Sequence, residues 1–255
     1  MTPRSDSADS YVYDAAFLDY ATRVNFASAQ CVAAILQPLL RLRSVLDVGC
    51  AQGAWLRAWK ETGVTEFTGV DGDYVDRRRL QIGAEHFVPH DVSQPFDLGR
   101  IFDLVQCLEV AEHLPAAHAG TLIDNLTRHG TTILFSAAPP GQGGENHINE
   151  RPYEYWRALF RERGYAALDG VRALVKTEPG VASWYRYNMF LYARTDIIAT
   201  LPRSLAESLV PAHLSLKDIS PLPHRLRKAM IRALPFAARQ MLAKAKGRLQ
   251  PFLGS

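Results

Sequence analysis

The stretch Ser44-Val45-Leu46-Asp47-Val48-Gly49-Cys50-Ala51-Gln52-Gly53-Ala54-Trp55 decides how this chain is read. Its first half is a short apolar run with one aspartate, bounded by Gly49, which is the pattern of a buried parallel strand. Gly49 and Gly53 bracket a turn, and Ala54–Trp59 reads as a helix. Strand, glycine-rich turn and helix make the first unit of a nucleotide-binding sheet. Gly49 lacks a Cβ, so its backbone can approach a ligand closely. The helix N-terminus adds free N–H groups for a polar or anionic ligand.

The spacing separates two kinds of ligand. A dinucleotide site reads G-x-G-x-x-G. Here the order is Asp47-x-Gly49-x-x-x-Gly53, so a nicotinamide-dependent oxidoreductase is not expected. In this form the motif resembles the first motif of the class I S-adenosylmethionine (SAM) methyltransferases. The resemblance implies an α/β, Rossmann-like fold with a seven-stranded, mostly parallel sheet and helices on both faces. It also implies that Gly49, Cys50, Ala51 and Gly53 wrap the methionine part of SAM, while Asp47 orients the loop or the amino group.

The rest of the chain extends that pattern. Phe67–Asp71 is a short strand ending in an acid, and a carboxylate there can accept two ribose hydroxyls. Asp71 lies about 20 residues past the glycines, the spacing for that role. His86–Pro89 reads as a third strand, and Asp91 after it resembles the group that contacts the adenine amino nitrogen. By the same resemblance Gly72, Val92 and Leu108 complete the cofactor set. Ile101–Leu108, Thr131–Ala138 and Tyr165–Leu168 supply three more strands, and Trp184–Arg194 is expected as the last, which the resemblance implies is antiparallel to the rest.

Helices are expected over Tyr11–Gln37 with Pro38 as their limit, around Leu122–Leu126 up to Gly130, and over Glu150–Arg163 with Pro152 in the first turn. In the first, Phe17, Tyr20, Val24, Ala27, Cys31 and Ile35 recur at helical spacing. By resemblance this segment caps the pocket, with Tyr13 and Tyr20 toward it. The loop Pro139–Asn149 is rich in Gly and Pro and is expected to be irregular and mobile over the ligand site. The expected organisation is a helical cap (1–40), a SAM-binding domain (41–200) and a basic amphipathic tail (201–255).

Methyl transfer from a sulfonium needs little beyond position and a route for the acceptor's proton. Two histidines stand where that chemistry would sit: His113, after the fourth strand, and His147, in the loop after the fifth. Glu109, Glu112 and His113 fall on one face if their segment turns helical, and His147 can reach them from the neighbouring loop. Two carboxylates and two imidazoles can hold a divalent metal such as Mg²⁺ or Mn²⁺. The set resembles the metal sites of ubiquinone-biosynthesis O-methyltransferases and of enzymes that 2′-O-methylate small-RNA 3′ ends. Without a metal, His113 or His147 would act as base, with Glu112 in the catalytic set.

The phrases DVGCAQGAW, LEVAEHL, ENHINERPYEYW and WYRYN resemble bacterial methyltransferases that modify sugars or glycolipids. The expected acceptor is a small molecule or a saccharide. The rivals are a metal-dependent RNA-end methyltransferase and a non-catalytic SAM-binding protein.

Composition narrows little else. The chain has 255 residues, 22% charged, with a net charge of +3, ordinary values for a globular protein. Cys31, Cys50 and Cys107 show no paired spacing, and Met1–Asp6 shows no signal pattern, so a cytoplasmic protein with reduced thiols is expected. From Ile219 onward there are no acids, and Arg225, Arg227, Lys228, Arg232, Arg239, Lys244, Lys246 and Arg248 alternate with Leu226, Met230, Leu234, Ala237 and Met241. Such a basic amphipathic segment, split at Pro235, suits peripheral contact with an anionic membrane over residues 219–255. Little aromatic interleaving accompanies the charge, so no nucleic-acid partner is expected.

Overall fold

Strand β1 (Ser44–Val48) is buried along its whole length, with Val45 facing one side of the sheet and Leu46 and Val48 the other. Such two-sided burial is what a central parallel strand requires. A computed structural model describes residues 15–253, with side chains over 23–245. Around β1 lie β2 (Glu66–Asp71), β3 (Phe87–Pro89), β4 (Leu104–Leu108), β5 (Thr132–Ser136), β6 (Tyr165–Leu168) and β7 (Phe190–Arg194). Their order is β3-β2-β1-β4-β5-β7-β6, and only β7 runs against its neighbours. The order reverses between β1 and β4, so the crevice for a ligand opens at their carboxyl ends.

Helices cover both faces. α1 (Ala15–Leu40) and α2 (Ala54–Glu61) close one side, where Leu36, Trp55 and Trp59 meet Val45 and Leu104. α3 (Ala119–His129) and α4 (Tyr153–Glu162) close the other, where Leu122, Trp156 and Phe160 meet Val105 and Phe135. α5 (Gly170–Val175), α6 (Ser183–Asn188) and α7 (Arg203–Ala206) are short and lie toward β7.

Three expectations are corrected. α1 continues through Pro38 to Leu40. It stops where Arg41 turns left-handed (φ 51°) and the Gln37 side chain holds both backbone groups of Leu42 at 2.9 and 3.1 Å. Its buried stripe is Ala29, Val32, Ala33 and Leu36, whereas Ala27 is exposed and Cys31 and Ile35 are half-buried. The expected orientation of Tyr13 and Tyr20 lies outside the described residues. Trp184–Asn188 belongs to α6 rather than to the last strand, because Tyr185 and Asn188 bury themselves at helical spacing and Met189 N–H returns to the Tyr185 carbonyl at 3.2 Å. The resemblance implies strand over that stretch, and packing of its first half decides for helix.

Pro235 separates α8 (Leu222–Ala233) from α9 (Phe236–Leu253), as expected. The connection from β7 to α8 is fastened to the domain by two buried arginines. Arg157 donates to the carbonyls of Val210, Pro211 and Leu214 at 2.6–2.8 Å, and Arg172 donates to that of Lys217 at 2.9 Å. No helix among the described residues is long and apolar enough to cross a membrane.

Candidate active site

The glycine-rich turn is held in a strained shape by the next strand. Gly49 and Gly53 have φ of 82° and 79°, and Ala51 is also left-handed at 46°. Gly49 and Cys50 N–H groups both meet the Val70 carbonyl on β2, at 2.8 and 3.3 Å. A Cβ on Gly49 would lie 2.4 Å from Val110 Cγ2, so only glycine fits there. No side chain caps α2, which leaves its N-terminus open toward the crevice.

Asp71 ties this turn to β2. Its Oδ2 accepts from Ala51 N–H at 2.7 Å, and its Oδ1 accepts from Gly72 N–H at 2.7 Å and from the Tyr74 hydroxyl at 2.5 Å. Burial raises its pKa, against these three donors. The Tyr74 ring lies across Gly72, where a Cβ would approach Cε1 to 2.1 Å. Asp47 is buried on β1 with Oδ2 unpaired, and burial pushes its pKa up to about 7, with its β4 register partner Gln106 opposing the shift. Burial also pushes up the Cys50 thiol.

Asp47, Gly49, Cys50, Ala51, Gly53, Asp71 and Gly72 thus converge at the ends of β1 and β2. Asp91 is exposed after β3 and accepts from Ser93 N–H at 2.9 Å, and Val92 is buried beside it. Leu108 is buried at the end of β4.

The acid and histidine cluster is assembled differently from the helical face expected. Glu109 is left-handed (φ 56°), its N–H anchored to Ser136 O at 3.0 Å, and only Ala111–His113 forms a single 3₁₀ turn. The partner is therefore the loop after β5. Ile148 and Asn149 N–H groups bond the Glu112 carbonyl at 3.0 and 2.9 Å, which lays His147 against the turn. This loop is also bridged by Glu150, which accepts from Gly141 and Gly143 N–H at 2.8 and 2.7 Å and meets His147 Nδ1 at 3.1 Å.

One ligating atom each from Glu112, His113 and His147 lies within 4.8 Å of the others. His147 Nε2 is 4.0 Å from Glu112 Oε1, and the two imidazoles meet edge to face at 4.9 Å. Glu109 stands outside this trio, accepting from Gln142 Nε2 at 2.5 Å. Gln142 in turn accepts from Asn188 Nδ2, and Asn188 accepts from the Tyr153 hydroxyl.

Both Glu112 oxygens and Glu109 Oε1 are buried without a hydrogen-bond partner. Burial, and then the neighbouring Glu109 charge, pushes the Glu112 carboxyl well up. Burial and His147 hold His113 down at about 3, so its imidazole is neutral across the physiological range. A buried carboxylate with no partner is costly unless a proton or cation joins it. Gln142, Glu150, Tyr74 and Asn188 were not anticipated; the spacing of His147 and Glu150 by three residues was the one available signal.

Comparison with known proteins identifies the family and the fold. Residues 18–169 match the family model of a methyltransferase domain, and the chain belongs to that family. SAM is the family's cofactor, so the chain is a SAM-dependent methyltransferase. Among solved structures, the sugar N-methyltransferase KedS8 of a Streptoalloteichus species is 20% identical, with a TM-score of 0.56 over 76% of this chain and 98% of that one. CalS10, an amino pentose methyltransferase of Micromonospora echinaspora, is 18% identical, with a TM-score of 0.51 over 74% and 100%. The magnesium protoporphyrin IX methyltransferase of Synechocystis is 19% identical, with a TM-score of 0.52 over 74% and 87%. These likenesses are of fold. No curated protein gives a significant match to the sequence.

Proposed function

We propose that this enzyme O-methylates a small molecule or a saccharide, with Glu112, His113 and His147 at the acceptor. The observation that carries the reading is the trio itself: a carboxylate with two unpaired buried oxygens beside two imidazoles at the end of β4. The cofactor side is supported by the Gly49–Gly53 turn, the open α2 N-terminus, and the spare Asp47 oxygen, an acceptor suited to an ammonium. Asp71 already accepts from one hydroxyl, that of Tyr74, which is the bond type a ribose would offer.

The donor set fits Mg²⁺ or Mn²⁺. Glu112, His113 and His147 would hold it, with Glu109 beside them, and the ion would act as a Lewis acid that lowers the pKa of the acceptor hydroxyl. The chain's own residues then do the positioning. Glu150 accepts a hydrogen bond from the His147 Nδ1–H, which leaves the Nε2 lone pair free on the Glu112 side and fixes the ring. Gln142, held by Asn188, orients Glu109. The fold neighbours KedS8 and CalS10, a sugar and an amino pentose methyltransferase, support a saccharide acceptor. A cytoplasmic enzyme in peripheral contact with an anionic membrane through residues 219–255 is the accompanying reading. It is supported by the exposure of Leu222, Leu226, Met230 and Met241 among the basic residues of α8 and α9.

The test is methyl transfer from labelled SAM to a panel of hydroxyl-bearing saccharides, with Mg²⁺ or Mn²⁺ and with chelator. Glu112→Gln and His147→Ala should abolish transfer while SAM affinity holds. Undiminished turnover in both variants would overturn the assignment. Turnover in chelator that still needs His147 would favour the metal-free base.

A further inference from the structure

α8 shows three faces. His224, Arg227 and Ile231 turn to the domain: the His224 ring lies 5.7 Å from that of Tyr187, and Arg227 Nη2 donates to the Gln142 carbonyl at 3.1 Å. Leu222, Leu226 and Met230 form a second stripe, 60%, 56% and 66% exposed. Arg225, Lys228, Ala229 and Arg232 form the third and line an open 340 Å³ cavity whose other walls are Pro139, Pro140, Pro152, Tyr153, Leu216 and the acids Glu154 and Asp218.

The acids of this cavity are already engaged. Asp218 accepts from Lys228 Nζ at 2.5 Å and from the Ser220 hydroxyl at 2.6 Å. Glu154 accepts from Leu216 N–H at 2.6 Å and from Arg157 at 3.3 Å. Among the described residues, neither the Arg225 nor the Arg232 guanidinium has a hydrogen-bond or ion-pair partner. Two free planar guanidiniums in a concave site suit a phosphate group, which they can grip in bidentate fashion.

The cavity adjoins the acid and histidine cluster. Its wall at Pro139 and Pro140 runs into Gln142, and its wall at Tyr153 reaches Gln142 through Asn188. On its outer side it borders the apolar stripe of α8, and Phe236 and Met241 of α9 are exposed as well. Cations beside an exposed apolar stripe match an anionic headgroup on a hydrocarbon chain.

We infer that the cavity between α8 and the start of α4 binds the phosphate group of an amphiphilic acceptor, with the apolar stripe of α8 seated in the lipid that carries it. This names the acceptor class for the reaction proposed above and rests on that reading.

Purified full-length protein is sedimented with phosphatidylcholine vesicles and with equimolar phosphatidylcholine and phosphatidic acid, and is titrated with inorganic phosphate by calorimetry. Association is expected with the phosphatidic acid vesicles and not with the neutral ones. The double variant Arg225→Gln/Arg232→Gln should associate roughly 30-fold more weakly, the effect of two surface cations. Leu226→Ser/Met230→Ser should lose the vesicles and keep inorganic phosphate. SAM binding is measured in every variant and should persist, so loss of the phosphate effect is separable from failure of the methyltransferase reading. Equal sedimentation with both vesicle types, or no effect of the arginine pair, would overturn the inference. Phosphate binding without vesicle association would overturn the amphiphile and point to a soluble phosphorylated acceptor.

Discussion

Substituting alanine at Gly49 tests whether the turn is as tightly specified as its geometry implies. Two costs arise. The backbone is left-handed at φ 82°, which disfavours alanine by about 1–2 kcal/mol. The new Cβ would also lie 2.4 and 2.8 Å from the two Val110 γ-carbons and 3.1 Å from Val110 Cβ. Because Cβ itself is close, rotating the valine does not clear the contact, and backbone on one side must move. Overpacking of this kind costs about 1–3 kcal/mol. Gly63 provides the comparison, since it is also left-handed (φ 99°) but has nothing within 4 Å of an added Cβ. Urea denaturation should therefore show Gly63→Ala losing only the backbone part and Gly49→Ala losing about 1–3 kcal/mol more. Calorimetry should show Gly49→Ala binding SAM at least about tenfold more weakly and Gly63→Ala binding it normally. Adding Val110→Ala to Gly49→Ala should recover part of both losses. Equal stability of the two glycine variants, with wild-type SAM affinity in Gly49→Ala, would refute the reasoning.

Other perturbations follow from the same structure. Asp71→Ala leaves the Ala51 and Gly72 N–H groups without their acceptor, so SAM affinity measured by calorimetry should fall by about 1–3 kcal/mol. Asp47 carries a folded-state pKa of about 7, against about 4 in the unfolded chain, so in that window the folded form holds a proton the unfolded form has released. Wild-type stability contributed by this group is thus present below pH 4 and lost as pH rises to 7. Asp47→Asn should gain on wild type by up to about 4 kcal/mol between pH 4 and 8, and parallel stability curves would contradict it. Arg172 is fully buried, paired with Asp169, bonded to the Tyr187 and Lys217 carbonyls and stacked 4.0 Å over Phe190. Arg172→Leu should destabilise the protein by about 3–5 kcal/mol in denaturant titration.

The strand–turn–helix at Ser44–Trp55 was legible because each of its signals is local: an apolar run, two glycines at fixed spacing, and an acid at the end of the next strand. The sheet followed from it, and residues 18–169 carry the family match. The acid and histidine cluster was legible as a set of residues but not as a shape. Spacing suggested a helical face for Glu109, Glu112 and His113, whereas a left-handed Glu109 and one 3₁₀ turn deliver them, and His147 arrives through backbone bonds that spacing cannot reveal. Gln142 and Glu150 were hidden for the same reason, since Gln142 joins Glu109 to Asn188 across three segments and Glu150 closes the loop on itself. α6 lies inside the strand expected over Trp184–Arg194, because Trp184, Tyr185 and Tyr187 favour either state until packing decides. The tail showed its charge in the sequence, but only the fold shows that one face of α8 walls a cavity and another grips the loop of His147.

Glu112, His113 and His147 are proposed to form one ligand set. Mn²⁺ titration of the full chain, followed by the paramagnetic resonance of the free ion, tests this directly. One ion should bind per chain, and binding should vanish in Glu112→Gln and in His147→Ala while SAM affinity persists. Mn²⁺ binding that is unchanged in both variants, or no binding with SAM bound normally, would contradict it.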